Sequence, residues 1–253
     1  MSKLDSINKG SVVGSVIFAS CIENISKVIL EQRQSEPCFV CIANVHMVVT
    51  ARQNKLLKSA MEAAAIVTSD GMPLVWELRR KGFKDADRVS GPDLMIALCQ
   101  RANDERIPIY FYGGLPSIVE TMKVKLTEHF PDLIIAGIES PPMLSDQPEI
   151  DQVVVERIKA SGAEIVFVGL GCPKQELWMH AYSPHIPAVL IGVGAAFDFF
   201  TGSIKRAPLW MQHMGLEWFY RLCSEPRRLW KRYLLTNSLF IWFWLRDRLS
   251  EGK

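Results

Sequence analysis

Short apolar runs recur along the chain and alternate with longer stretches where apolar residues return every three or four positions. The runs Val12–Phe18, Cys38–Val45, Ala64–Thr68, Ile107–Tyr112, Leu133–Ile138, Glu164–Leu170 and Ala188–Val193 read as strands. Several are apolar at consecutive positions, the pattern of strands covered on both faces. Between them, Ser90-Gly-Pro-Asp93 leads into a predicted helix running to Arg101, with proline near its start. Pro116 opens a second helix, and a third is predicted over Asp146–Ala160. This alternation predicts an α/β fold with a largely parallel sheet, whose ligands bind at the carboxyl ends of the strands. No internal repeat or low-complexity linker interrupts it.

The pattern changes near Ser203. Residues 1–203 read as the α/β domain, and residues 204–253 as a helical, aromatic and basic appendage. Five of the seven Trp residues lie there: Trp210, Trp218, Trp230, Trp242 and Trp244. The appendage carries ten Lys/Arg against four Asp/Glu, a local charge of +6 in a chain of net +2. The body is therefore mildly acidic, and the basic segment suits a phosphate-rich partner, either nucleic acid or anionic lipid. Its most apolar run, Tyr233–Leu245, has thirteen residues and is bracketed by Lys231, Arg232 and Arg246. About 20 residues are needed to span a bilayer. Cations flanking Trp-rich apolar sequence match a segment lying in the membrane interface; a core helix or an oligomer contact is the competing reading. Nucleic acid fits poorly, because the basic residues are interleaved with large aliphatics.

The remaining composition narrows the class. A chain of 253 residues with 49% hydrophobic and 22% charged residues can bury a substantial core. Six cysteines show no disulfide framework, which suits a reduced, cytosolic setting. The lone Cys38-Phe-Val-Cys41 motif falls inside a predicted buried strand and has no second ligand pair, so it is read as core. The N-terminus begins polar and shows no signal-peptide pattern.

Candidate chemistry lies in the loops that follow the strands. Asn44 and His46 can hydrogen-bond a sugar or base, although Asn44 also suits a helix N-cap. In Thr68-Ser-Asp-Gly-Met-Pro73, Asp70 sits before Gly71 at a strand end, where a carboxylate can take the proton of an attacking hydroxyl or can cap the next helix. Arg88 can neutralise a phosphate or form an ordinary ion pair. Gly113 and Gly114 precede a helix N-terminus, which favours anions; a plain tight turn is the alternative. In Gly169-Leu-Gly-Cys-Pro-Lys-Gln-Glu176, Gly171 lies in the turn, and Lys174 and Gln175 fall in the first turn of a helix. A lysine there opposes the helix dipole unless an anion is bound. Gly192-Val-Gly-Ala-Ala-Phe-Asp198, with Gly194 and Asp198, begins like a dinucleotide fingerprint. However, Phe197 stands at the third glycine and the motif comes last in the sheet, so a nicotinamide enzyme is not the leading reading and stays as a rival. No Walker lysine, GxSxG elbow or HExxH is present, and no acidic pair at DxD spacing is read as a divalent-metal seat.

Taken together, Thr68-Ser-Asp-Gly-Met-Pro, Arg88-Val-Ser-Gly-Pro-Asp, Phe111-Tyr-Gly-Gly, Gly169-Leu-Gly-Cys-Pro-Lys-Gln-Glu and Gly192-Val-Gly-Ala-Ala-Phe-Asp, followed by Lys205-Arg-Ala-Pro and Gly215-Leu-Glu-Trp-Phe-Tyr-Arg221, resemble the WecG/TagA/CpsF glycosyltransferases (glycosyltransferase family 26) from about residue 12 to about residue 235. The resemblance implies a Rossmann-like sheet of the GT-E type. It also implies an inverting, metal-independent transfer with no cofactor. The donor would be a UDP-sugar of the N-acetylmannosamine or glucose type. The acceptor would be an undecaprenyl-diphosphate-linked sugar in cell-wall, teichoic acid or surface-polysaccharide synthesis. Asp70 would be the general base, with Arg88 and Gln175 in the active site. Asn44, His46, Gly71, Gly113, Gly114, Gly171, Lys174, Gly194 and Asp198 would line the substrate. The appendage would close over the site, present Arg206, Arg221, Arg227 and Arg228 to the lipid diphosphate, and dock peripherally on the cytoplasmic face of the membrane. Many members carry Thr where this chain has Ile42, so the donor sugar stays open. A non-catalytic membrane-associated scaffold and a homo-oligomer remain alternatives.

Overall fold

The computed structural model describes Leu4, residues 7–142, Ser145 and residues 149–251. Six strands form one parallel sheet: β3 (Cys38–Ala43), β4 (Ile66–Ser69), β5 (Ile109–Gly113), β6 (Ile135–Glu139), β7 (Ile165–Gly169) and β8 (Val189–Gly192). Their spatial order is β4-β3-β8-β7-β5-β6. The last strand in the chain thus lies in the middle of the sheet, between β3 and β7.

Period-two alternation distributes the sheet's side chains over two cores. Phe39, Cys41, Ala43, Tyr110, Tyr112, Val166, Val168 and Leu190 face one core. Helices α2 (Val45–Gln53), α3 (Lys55–Ala63), α7 (Gln152–Ala160) and α8 (Lys174–Tyr182) supply its other wall. Val40, Ile42, Ile109, Phe111, Ile165, Phe167, Val189 and Ile191 face the second core. It is completed by α1 (Ile22–Gln32), α5 (Gly91–Glu105), α6 (Pro116–His129) and α9 (Ala196–Thr201). Ile42 is therefore packed in this second core. Cys38 and Cys41 lie three apart on one strand, point to opposite faces and are free thiols.

Helix starts follow local chemistry. Asn44 caps α2, accepting from the Met47 N–H at 3.1 Å, and Asn54 caps α3. Ser90 and Pro92 open α5. Two expectations change. The run Val12–Phe18 is an antiparallel hairpin, β1 (Lys9–Val12) and β2 (Ser15–Phe18), not one strand. Val13 and Gly14 turn it with φ of 51° and 78°, the left-handed pair that matches strand twist in two-residue hairpins. Glycine adopts this conformation freely, whereas Val13 does so at a steric cost. The helix expected over Asp146–Ala160 begins at Gln152, because Asp151 caps it through the Val153 N–H at 2.9 Å; residues 146–148 lie outside the described residues.

The C-terminal part contains α10 (Leu209–His213), α11 (Glu217–Ser224) and α12 (Pro226–Glu251). One face of α12 packs on the body: Leu229, Thr236, Phe240 and Phe243 are buried. Asp247 accepts both arms of the Arg52 fork at 2.6 and 2.8 Å. Trp244 Nε1 donates to Glu77 Oε2 at 2.8 Å, joining α12 to α4 (Met72–Arg80). The opposite face exposes Trp230, Leu234, Leu235, Ile241, Trp242, Leu245 and Leu249. The run Tyr233–Leu245 is thus core on one side and open apolar surface on the other. No helix among the described residues is long and apolar enough to cross a membrane.

These two faces predict opposite responses. Trp244→Phe keeps the ring but leaves Glu77 short of a donor, and should lower stability by about 1–3 kcal/mol. Leu245→Ala should stay within about 0.5 kcal/mol of wild type. Urea unfolding of the two variants distinguishes them.

Candidate active site

The loops at the carboxyl ends of β3, β4, β7 and β8 are joined by hydrogen bonds. The Asp70 N–H donates to Ala43 O at 2.7 Å, which ties the β4 loop to the end of β3. Val89 N donates to Ser69 O at 2.8 Å and Ser69 Oγ to Asp87 O at 2.9 Å, drawing the Arg88 segment alongside. Gly91 allows close packing here: a Cβ on it would meet Val193 O at 2.5 Å. Asp70 does not cap α4, because Gly71 holds the N-cap position and no side chain caps it.

Arg88 is 16% exposed and reaches three groups with one guanidinium. Nε donates to Asp70 O at 2.9 Å, Nη1 to Gln212 Oε1 at 3.3 Å, and Nη2 to Glu217. Its Nη2 lies 3.6 Å from Asp70 Oδ1, an ion-pair distance without a hydrogen bond. Arg206 continues the chain of charges. It donates to Asp93 Oδ2 at 2.6 Å and Ser90 Oγ at 3.2 Å, and its Nε lies 3.8 Å from Glu217 Oε1.

The electrostatics separate two carboxylates in this cluster. Burial pushes Asp70 up to about 6; Arg88 and Arg206 pull the value down, while Glu217 and Asp93 push it up. Asp93 is also raised by burial, but hydrogen bonds from Arg206 and Ser90 outweigh this and hold it below the usual range. Asp70 therefore combines partial burial with a proton affinity close to neutral pH, as a general base requires.

Gln175 is bonded into the framework of the glycine loops. Only 3% exposed, it accepts from Gly171 N at 3.2 Å and Gly194 N at 3.0 Å. Its amide Nε2 donates to Glu176 Oε1 at 2.6 Å. It is a strut between the β7 and β8 loops, and those two backbone donors are turned inward to it. Glu176 is fully buried with Oε2 unpaired, and burial raises it to about 7. Gly171 and Gly194 adopt φ of 79° and 58°, and a Cβ on either would meet nothing within 4 Å. Gly113 behaves otherwise: a Cβ there would meet Gly169 O at 2.5 Å, so it serves close strand packing. Gly114 N also donates to Gly169 O, at 3.1 Å, consistent with a tight turn.

The other expected residues fall into separate groups. His46, in the first turn of α2, is lowered to about 4 by burial and by Arg232, so it is neutral. Lys174 begins α8. Arg221 and Arg228 share Glu225 and lie near Asp198, which burial raises. Arg221 also stacks over Phe199 at 5.4 Å. Arg227 is exposed. Arg206 thus joins the Asp70 group, while Arg221 and Arg228 form a second one. Among the described residues, no group of three His, Cys, Asp or Glu converges as a metal seat. Asp93, Glu176, Gln212 and Glu217 were not singled out from sequence. The Gly215-Leu-Glu-Trp motif contained Glu217, but its partners lie far away in the chain.

The parallel sheet thus carries at its carboxyl edge, where such sheets bind their ligands, a carboxylate raised toward neutral pH and two arginines. Residues 10–253 match the model of the glycosyl transferase WecG/TagA/CpsF family, and the chain belongs to that family.

Two outcomes test this geometry. Because Asp70 sits at about 6 instead of 3.8, the folded protein takes up its proton first as pH falls. The charged form therefore costs stability above that value. Asp70→Asn should stabilise the protein at about pH 8, with the gain vanishing toward about pH 4, in paired urea titrations. Gln175→Ala strands two backbone N–H groups and should lower stability by roughly 1–3 kcal/mol per group left unpaired. A residue serving substrate alone would show no such loss.

Proposed function

We propose that this glycosyltransferase is an inverting, metal-independent hexosyltransferase. It moves an N-acetylmannosamine-type or glucose-type sugar from a UDP donor to a sugar on undecaprenyl diphosphate, in cell-wall or surface-polysaccharide synthesis. The observation that carries the reading is Asp70: a partly buried carboxylate raised to about 6, at a strand end, beside two arginines. Asp70 takes the proton of the acceptor hydroxyl. The hydroxyl oxygen attacks the anomeric carbon from the face opposite UDP. The carbon–oxygen bond to the diphosphate breaks, and UDP departs with the electron pair. Arg88 and Arg206 supply positive charge near that bond, which favours a leaving group whose charge grows in the transition state. Gln175 ties the β7 and β8 loops together beside it.

The acceptor's lipid suits the exposed face of α12, where Trp230 and Trp242 flank Leu234, Leu235 and Ile241. Lys231, Arg227, Arg228 and Arg246 provide cations for anionic headgroups. The protein would act as a peripheral enzyme on the cytoplasmic leaflet.

Asp70→Asn should lower UDP release from UDP-sugar and a polyprenyl-diphosphate-linked sugar by at least about 10²-fold. An unchanged rate would show that Asp70 is not the base. Leu234→Glu with Leu235→Glu should abolish co-sedimentation with anionic vesicles while leaving the far-UV spectrum unchanged. Retained co-sedimentation would remove α12 as the docking face.

A further inference from the structure

Glu217 is carried into the Asp70 site by α11, outside the parallel sheet. No residue of α11 is fully buried, and its apolar contacts include the edge-on meeting of Trp218 with Tyr233 of α12. Its first residue nevertheless reaches inward: the Glu217 side chain is 18% exposed and bonded to Arg88 Nη2. The adjoining α10 supplies Gln212, which accepts from Arg88 Nη1 at 3.3 Å and donates to Ala207 O at 2.7 Å. Both arms of the Arg88 fork are thus committed to the C-terminal segment, while its Nε holds the Asp70 carbonyl at 2.9 Å.

This arrangement decides where the Arg88 charge is spent. The guanidinium stands 3.6 Å from Asp70 Oδ1 but makes its hydrogen bond to Glu217. A donor hydrogen-bonded to one carboxylate is committed to it more than to one it merely approaches, so the Arg88 charge is spent chiefly on Glu217. The charged groups facing Asp70 are Arg88, Arg206, Glu217 and Asp93, two of each sign. Removing Glu217 would leave two arginines against Asp93, with Arg88 free to bond the Asp70 carboxylate and weaken it as a base.

We propose that Glu217 is a positioning residue, a carboxylate delivered by the C-terminal segment that holds Arg88 off the Asp70 carboxylate and keeps Asp70 competent as a base. Through Glu217 and Gln212, α10 and α11 thus set the charge that reaches Asp70. This rests on the reading of Asp70 as the general base.

The test uses full-length protein with ¹³C-labelled aspartate carboxyls, the Asp70 signal being the one lost in Asp70→Asn. Wild type should titrate near the value of about 6. Glu217→Gln should titrate about one unit lower, a tenfold change in proton affinity. Glu217→Asp, which keeps the charge, should recover part of the shift. The acid limb of kcat/KM for UDP release should move down in Glu217→Gln in the same sense. An unmoved Asp70 midpoint in Glu217→Gln overturns the proposal, even if hydrogen exchange in α11 becomes faster. So does an equal shift in Glu217→Asp and Glu217→Gln. Absence of UDP release by wild type with every UDP-sugar tried would instead defeat the substrate reading, and the titration would still decide the role of Glu217.

Discussion

Arg88 has to satisfy three partners at once while almost out of water. A guanidinium in that position is tolerated only when its donors are matched, and here they bind the Asp70 carbonyl, Gln212 and Glu217. The rest of the site follows from that requirement. The β4 loop cannot shift without breaking the Nε bond, and the C-terminal segment cannot lift without exposing a charge that would need new solvation. Asp70 is held by its backbone, through Ala43 O and Arg88, while its carboxyl group makes no hydrogen bond to Arg88. A carboxylate fixed in place yet not hydrogen-bonded by its neighbour suits the proposed proton abstraction.

The second constraint is Gln175. The two open glycine loops would otherwise present backbone N–H groups to a ligand, as phosphate-binding loops do. In this protein the N–H groups of Gly171 and Gly194 are turned to one buried amide oxygen. What remains at the loops is room, since no atom would oppose a side chain at either glycine. Under the proposed reaction, charge for a departing diphosphate would come from side chains, and Arg88 and Arg206 are the two cations acting on Asp70. Bound UDP would also alter the balance around Glu217, because it competes for the same two arginines.

The parallel sheet and the loops that carry Asp70, Gly171 and Gly194 were legible in the sequence, since consecutive apolar residues and glycine-rich turns are local signals. The hairpin at Val13–Gly14 was not, because a valine at positive φ gives no turn signal. The roles of Arg88 and Gln175 were legible only as participation in a site. Glu217 lies 129 residues from Arg88, and Asp93 lies 113 from Arg206, so no spacing rule brings them together. Asp93 read as part of a helix start, which it is, and its second use appears only after folding. The run Tyr233–Leu245 presented two competing readings, core helix and interfacial segment. Both faces exist on α12, with Phe240 and Phe243 inward and Leu234, Leu235 and Trp242 outward.

The central claim is that the carboxyl edge of the sheet, between the β4 loop and the two open glycine loops, receives the nucleotide diphosphate. Hydrogen exchange of the full-length protein with and without UDP tests this most directly. The account predicts protection confined to residues 69–73, 86–90, 169–176 and 192–198 and to α11, and loss of that protection in Arg88→Gln. Protection elsewhere, or equal protection in Arg88→Gln, would contradict it.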